Sequence, residues 1–224
     1  MAYVLTIDGP AGSGKSTVAR RLARQLGIRY LDTGAIYRAV ALMLDEVGIR
    51  PEDEESVGQA LSGVCVELRD ECVLVNGLDV SREIRTPHVD RIVSAYSAVP
   101  RVRAALLGLQ RDQQKYGSLV VEGRDVGSVV FPDAPLKFFL TASPEARAGR
   151  RCLERERRGE EVSYEDTLAA IRERDHLDES RTTAPLRQPE GAVLLDTSDM
   201  SEDEVVKYLE DFVHDALLKG VVKE

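Results

Sequence analysis

Residues Gly9-Pro10-Ala11-Gly12-Ser13-Gly14-Lys15-Ser16-Thr17 lie between a short apolar stretch, Val4-Leu5-Thr6-Ile7, and a segment whose Val18, Leu22 and Leu26 recur on one helical face. A buried strand, a glycine-rich turn and an amphipathic helix are therefore expected in immediate succession. The spacing G-x-x-x-x-G-K-[ST] uses its glycines so that consecutive backbone N–H groups can wrap a phosphate. The helix that follows directs the positive end of its dipole at the same point. In this pattern Lys15 reaches the β- and γ-phosphates and the Ser16 hydroxyl helps to hold Mg²⁺. A site for a nucleoside triphosphate is predicted, and with it a strand–helix fold built on a parallel sheet.

The rest of the chain narrows the setting. Its 224 residues can bury one substantial α/β core. A net charge of −9 argues against a general nucleic-acid binder. Cys65, Cys72 and Cys152 lack metal-ligand spacing, and the first two alternate with apolar residues, so they are expected to be buried thiols in a reducing compartment. The first strand begins almost at Met1, which leaves no room for a signal peptide, and no apolar run approaches the ~20 residues of a membrane span. A cytoplasmic monomer is expected, without nucleic-acid or membrane partners.

Strand and helix patterns alternate through most of the sequence. After the first pair come Arg29-Tyr30-Leu31 and a helix starting near Gly34, capped by Asp32 or Thr33. Further strands are expected at Leu119-Val120-Val121, Leu136 to Leu140 and Ala192 to Leu195, giving five parallel strands flanked by helices. Ligands of such sheets gather at the carboxyl ends of the strands.

Two stretches depart from the alternation. Between Ser62 and Ile84, Val64, Val66 and Leu68 alternate with other residues, Arg69-Asp70-Glu71 reads as a turn, and Cys72 to Leu74 resumes a strand. Asn76-Gly77 then signals a hairpin, so a small antiparallel meander is expected, either a substrate-side insert or an excursion without a role. From Glu145 to Tyr164, Arg147, Arg150, Arg151, Arg155, Arg157 and Arg158 precede Gly159. Interleaved glutamates fit a solvated helix with mixed charges. The segment as a whole reads as a lid, since a phosphoryl-transfer site must exclude water.

The loop alone does not choose among GTPases, ATPases and small-molecule kinases. Asn76 is the only asparagine, so the Asn-Lys-x-Asp guanine motif is absent, and the chain is short for an ATPase machine. A compact kinase with two anionic ligands and many arginines remains. Three segments then carry a resemblance: Leu31-Asp32-Thr33-Gly34-Ala35-Ile36-Tyr37-Arg38; Glu122-Gly123-Arg124-Asp125-Val126-Gly127 with Val129-Val130-Phe131-Pro132-Asp133-Ala134; and Arg174-Asp175-His176-Leu177-Asp178-Glu179-Ser180-Arg181 leading into Ala184-Pro185-Leu186. With the meander, and in collinear order over nearly the whole chain, they resemble the bacterial cytidylate kinases among the nucleoside monophosphate kinases.

That resemblance implies a phosphate-loop kinase fold. Its core would cover about 1–33, 117–145 and 165–224, with a nucleotide-acceptor region at about 34–116 and a lid at about 146–164. It implies phosphorylation of CMP, and of dCMP, by ATP with Mg²⁺. Arg38, Arg124 and Arg181 match the arginines around the acceptor phosphate, and Thr33 sits at the helix start beside them. Ser94, Arg103 and Asp125 match the residues that read cytosine, and Arg174 and Asp178 those near the ribose. Arg147, Arg150 and Arg151 fall among the lid arginines, with Arg150 assigned to ATP. Glu122 stands where many strand-end metal motifs have Asp. A kinase for UMP or AMP, or a non-catalytic nucleotide sensor, are the rival readings. Lys15, Arg38, Arg124 and Arg181 argue against the sensor, which needs no second phosphate pocket.

Overall fold

The computed structural model describes residues 2–69 and 72–221. In chain order the elements are β1 (Val4–Asp8), α1 (Lys15–Leu26), β2 (Arg29–Asp32), α2 (Thr33–Glu46), α3 (Glu54–Leu61), β3 (Val66–Arg69), β4 (Cys72–Val75) and β5 (Leu78–Asp79). There follow α4 (Pro87–Ala98), α5 (Pro100–Asp112), β6 (Leu119–Gly123), β7 (Leu136–Thr141), α6 (Pro144–Glu156), α7 (Tyr164–Glu179), β8 (Val193–Asp196) and α8 (Glu202–Leu218). They form two compact units, one of residues 1–31 with 113–224 and the other of residues 32–112.

The first unit is built on a five-stranded sheet in the order β2-β6-β1-β7-β8. Every residue of β1 and β6 is buried, as expected for central strands covered on both faces. The parallel register sets Asp8 beside Gly123 on one side and beside Phe139 on the other. The ends of β1 and β6 are thereby adjacent, and the loops that leave them start from neighbouring points. Leu5, Ile7, Phe138 and Leu140 pack with Val18 and Leu22 of α1 and with Val205, Val206 and Leu209 of α8. Each such fully buried side chain contributes roughly 1.5–3 kcal/mol. Phe212 of α8 meets the Phe138 ring edge-on at 5.2 Å. Helix starts follow local chemistry: the Ser143, Ser163 and Ser201 side chains cap α6, α7 and α8, the last with a reciprocal Glu204 capping box.

In the second unit Asp32 caps α2, accepting from the Ala35 N–H at 2.9 Å. The expected meander is present as antiparallel β3-β4-β5. Asn76 and Gly77 both take positive φ, 50° and 81°, which is the backbone a two-residue hairpin turn demands. Of the turn expected at Arg69-Asp70-Glu71, Asp70 and Glu71 lie outside the described residues. Cys65 and Cys72 are exposed, not buried as the alternation suggested. The period of two explains the difference: Val64, Val66 and Leu68 with Val73 and Val75 face the core shared with α2 and α4, which turns Cys65 and Cys72, the latter opposite Arg69, outward. Among the described residues no single helix is long and apolar enough to cross a membrane.

Candidate active site

β1 runs directly into the glycine loop. A Cβ at Gly9 would lie 1.9 Å from the Leu140 carbonyl oxygen of β7, so only glycine permits this approach. Gly12 and Gly14 have φ of 77° and 86°, and Gly14 caps α1. Inside the loop the Pro10 carbonyl accepts from Lys15 Nζ at 2.6 Å and from the Ser13 hydroxyl at 3.1 Å. Lys15 is 4% exposed. Burial and then the nearby Arg124 hold its ammonium well below the usual lysine range, against the opposing pull of Glu122 and Asp8. Ser16 and Thr17 stand exposed in the first turn of α1. Among the described residues no group of three His, Cys, Asp or Glu could hold a metal.

The acidic residues at the strand ends differ in role. Glu122, near the end of β6, is buried and accepts from the Tyr30 hydroxyl of β2 at 2.5 Å. Asp8, at the end of β1, is 0% exposed and accepts from the N–H groups of Val126 and Gly127, each at 2.7 Å. Those residues begin a π-helical turn, Val126–Val130, in which the Phe131 N–H reaches the Val126 carbonyl at 2.7 Å. Asp125, 4% exposed, precedes that turn. Such turns recur at functional sites.

Arg124, Arg174, Asp178 and Arg181 come together in this unit. Arg124 Nε donates to Asp178 Oδ2 at 2.9 Å and Arg181 Nη2 donates to Asp178 Oδ1. Burial pushes the Asp178 carboxyl up, but Arg124, Arg181 and Arg174 outweigh it and hold the group below its ordinary value. The sign follows. A carboxyl held low adds stability above its unfolded value, near 3.8, and loses it as pH falls through the lower folded value. Asp178→Asn should cost about 3–5 kcal/mol near pH 7, the range for breaking a buried ion pair. In thermal melts the difference from the unaltered chain should shrink below pH 4; a gap of constant size would remove the ionic contribution.

The three arginines of α6 have distinct surroundings. Arg147 is 3% exposed and grips Asp175 of α7 through both Nη atoms, at 2.9 and 2.6 Å. It also donates to the Ala142 carbonyl and, at 3.1 Å, to the Ala11 carbonyl of the glycine loop. Arg150 donates to the Thr197 hydroxyl and carbonyl after β8, and half-buried Arg151 pairs with Glu154. Asp8 and Asp175 escaped sequence reasoning. A charged residue closing an otherwise apolar strand was the only available sign of Asp8, and Asp175 had none beyond its place beside Arg174.

In the second unit Thr33 is buried at the first turn of α2. Arg38, one turn on, donates to Asp90 Oδ1 at 3.3 Å, while its Nε is buried without a hydrogen-bond partner among the described residues. Gly34 leaves room for it, since a Cβ there would lie 2.9 Å from Arg38 Nη1. Ser94 and Arg103 are 6% and 7% exposed. Sequence alone suggests ordinary polar helix positions; instead they are buried polar groups, which need a partner or a purpose. Arg103 donates to the Ser97 carbonyl at 3.1 Å and lies over the Tyr37 ring at 5.2 Å.

An α/β sheet whose first strand enters this glycine loop, and whose neighbouring strand β6 ends in Glu122-Gly123 and runs on into Arg124-Asp125, defines a phosphate-loop nucleotide-binding protein. The family model described as cytidylate kinase matches residues 5–215. A cytidylate kinase of Mycobacterium leprae (strain Br4923) is 50% identical over 211 residues, covering 94% of this chain and 95% of that one. One from Mycolicibacterium paratuberculosis (strain ATCC BAA-968 / K-10) is 51% identical over 215 residues, with 94% of each covered. One from Caldanaerobacter subterraneus subsp. tengcongensis is 47% identical over 220 residues, covering 98% and 96%. The chain belongs to the cytidylate kinase family.

Proposed function

We infer that this protein transfers the terminal phosphoryl group of ATP to CMP, forming ADP and CDP. The observation that carries the reading is family membership over nearly the whole chain, with the lysine-bearing loop intact.

The loop Gly9–Thr17 would bind the triphosphate through its backbone N–H groups and Lys15. An arriving polyanion reverses the electrostatics at Lys15, because it supplies the negative partner that burial beside Arg124 withholds. Mg²⁺ suits this donor set: a small hard cation keeps its waters and substrate phosphates as ligands and needs little more from the chain than the exposed Ser16 hydroxyl. When bound, it neutralises charge on the β- and γ-phosphate oxygens.

Arg38, Arg124 and Arg181 are assigned to the acceptor phosphate. Asp178 supports two of them by pairing with Arg124 and Arg181, which keeps both guanidinium groups ordered before substrate arrives. That phosphate has a second pKa of about 6, so near pH 7 its oxygen attacks without a general base. Histidine chemistry is not needed. Ser94, Arg103 and Asp125 are assigned to the cytosine ring, and Arg174 with Asp178 to the sugar.

Residues 146–164 are assigned as the lid, with Arg150 on the ATP side. Arg147 suits an anchor better than a moving finger, since Asp175 and two backbone carbonyls occupy its donors.

A coupled assay of ADP release, run with CMP, dCMP, UMP and AMP as acceptors, tests the assignment. CMP should give the highest kcat/KM. A preference for UMP or AMP would replace the acceptor, and no ADP release with any of the four would leave a nucleotide sensor.

A further inference from the structure

We propose that Asp8 is a positioning residue for the acceptor nucleotide: its carboxylate fixes the backbone of Val126 and Gly127 and so sets the directions in which Arg124 and Asp125 leave β6. The inference rests on the reading that Arg124 and Asp125 meet CMP.

Asp8 ends β1, in register with Gly123 at the end of β6. From there one oxygen takes the Val126 N–H and the other the Gly127 N–H, both at 2.7 Å. Two consecutive peptide N–H groups aimed at two oxygens form a fork that a carboxylate matches and an amide does not, since an amide turns a donor toward one of them. Arg124 and Asp125 lie between the end of the strand and these two fixed residues. The Asp125 carbonyl, in the same peptide unit as the Val126 N–H, accepts from the Val129 N–H at 2.8 Å and closes the turn, while Gly123 on the other side stays in the ladder with β1. The short segment is thus held at both ends.

The approach is tight. A Cβ at Gly127 would lie 2.7 Å from Thr6 Oγ1 and 3.1 Å from Asp8 Oδ2, so the position takes no side chain without loosening the fork. Keeping a carboxylate here is also costly. The group is pushed up to about 6, by burial above all and by Asp125, against the opposing pull of the two N–H bonds and Lys15. A residue whose only task was to fill space would be neutral. Because β1 continues into Gly9, the same residue links the strand that carries the triphosphate loop to the segment assigned to the acceptor.

The test is steady-state kinetics of Asp8→Asn with CMP and UMP, beside binding of a non-hydrolysable ATP analogue. One amide left facing a donor should raise the KM for CMP about tenfold and narrow the CMP-over-UMP ratio of kcat/KM by a similar factor. Affinity for the ATP analogue should stay within about twofold. A folded Asp8→Asn enzyme with unchanged KM and unchanged base ratio overturns the proposal, as does a loss confined to ATP affinity or to kcat. Failure of the unaltered chain to phosphorylate CMP would instead sink the functional reading.

The unaltered protein provides a second measurement that does not depend on the variant folding. Between pH 7 and pH 5 the amide resonances of Val126 and Gly127 should shift together with the Asp8 carboxyl carbon. Affinity for cytidine, which carries no phosphate to titrate, should fall across the same step. The charged groups facing Asp8 are Asp125 and Lys15, and their own resonances distinguish their titration from its own. Amides that ignore Asp8, or cytidine affinity that stays flat, overturn the proposal.

Discussion

Turnover of ATP with CMP should fall by about 10³-fold in Lys15→Met, while CMP affinity changes little. Methionine keeps most of the length of the lysine stem and removes its charge. Preorganised charge in a buried site is worth far more than in water, and losing one such donor typically costs 10²–10³ in rate. Lys15 meets those conditions: it is 4% exposed and held in the loop by the Pro10 carbonyl and the Ser13 hydroxyl. Arg124 remains nearby but is paired to Asp178, so it cannot follow the migrating phosphoryl group without giving up that partner. CMP binding should be spared because its assigned phosphate arginines, Arg38, Arg124 and Arg181, are unaltered. Single-turnover kinetics and equilibrium binding of CMP separate the two quantities. Near-normal turnover in the variant would take the glycine loop out of the mechanism.

Asp125→Ala should lower kcat/KM for CMP and narrow its advantage over UMP by about tenfold or more. Hydrogen-bond polarity sets the expected preference. Cytosine presents an amino donor where uracil presents a carbonyl. A carboxylate only accepts, so Asp125 suits the first and repels the second. Arg103 donates and suits N3 and O2 of cytosine, whereas uracil turns an N–H toward it. Each buried mismatch costs ~1–3 kcal/mol, and every 1.4 kcal/mol is tenfold. Asp125 and Arg103 are 4% and 7% exposed, too little for water to relieve either mismatch. Alanine removes the repulsion of UMP along with the attraction of CMP, so the ratio should fall by more than the loss in kcat/KM for CMP alone. Unchanged discrimination would shift base reading to Arg103 and Ser94.

The glycine loop, the five core strands and the meander were legible because each depends on neighbours in sequence. Lys15 is one residue from Gly14 and six from Gly9, and the backbone they share makes the pattern readable. Asn76-Gly77 needs two consecutive positive φ angles, a local demand that few residue pairs meet. The exposed cysteines mark where that reading stopped: alternation reveals two faces of a strand but not which face is covered. The core under β3 and β4 comes from α2 and α4, far along the chain, and it took the valines.

The site divides the same way. The loop spacing and the alternation of strand and helix patterns determined by themselves that this chain folds as an α/β phosphate-loop protein, and the resemblance carried by the Gly-Arg-Asp segment named the charges assigned to its ligands. Only the tertiary structure decided what holds those charges in place. Arg147 meets Asp175 across 28 residues, Arg124 meets Asp178 across 54, and Asp8 meets Val126 across 118. Such pairs leave no periodic trace, because an ion pair needs one matching partner anywhere the fold brings it. Burial then sets the weight of each pair. The same carboxyl group is held low at Asp178, where three arginines surround it, and pushed up at Asp8, where burial prevails. Residue type names the charge; its depth in the fold and its neighbours there set what the charge does.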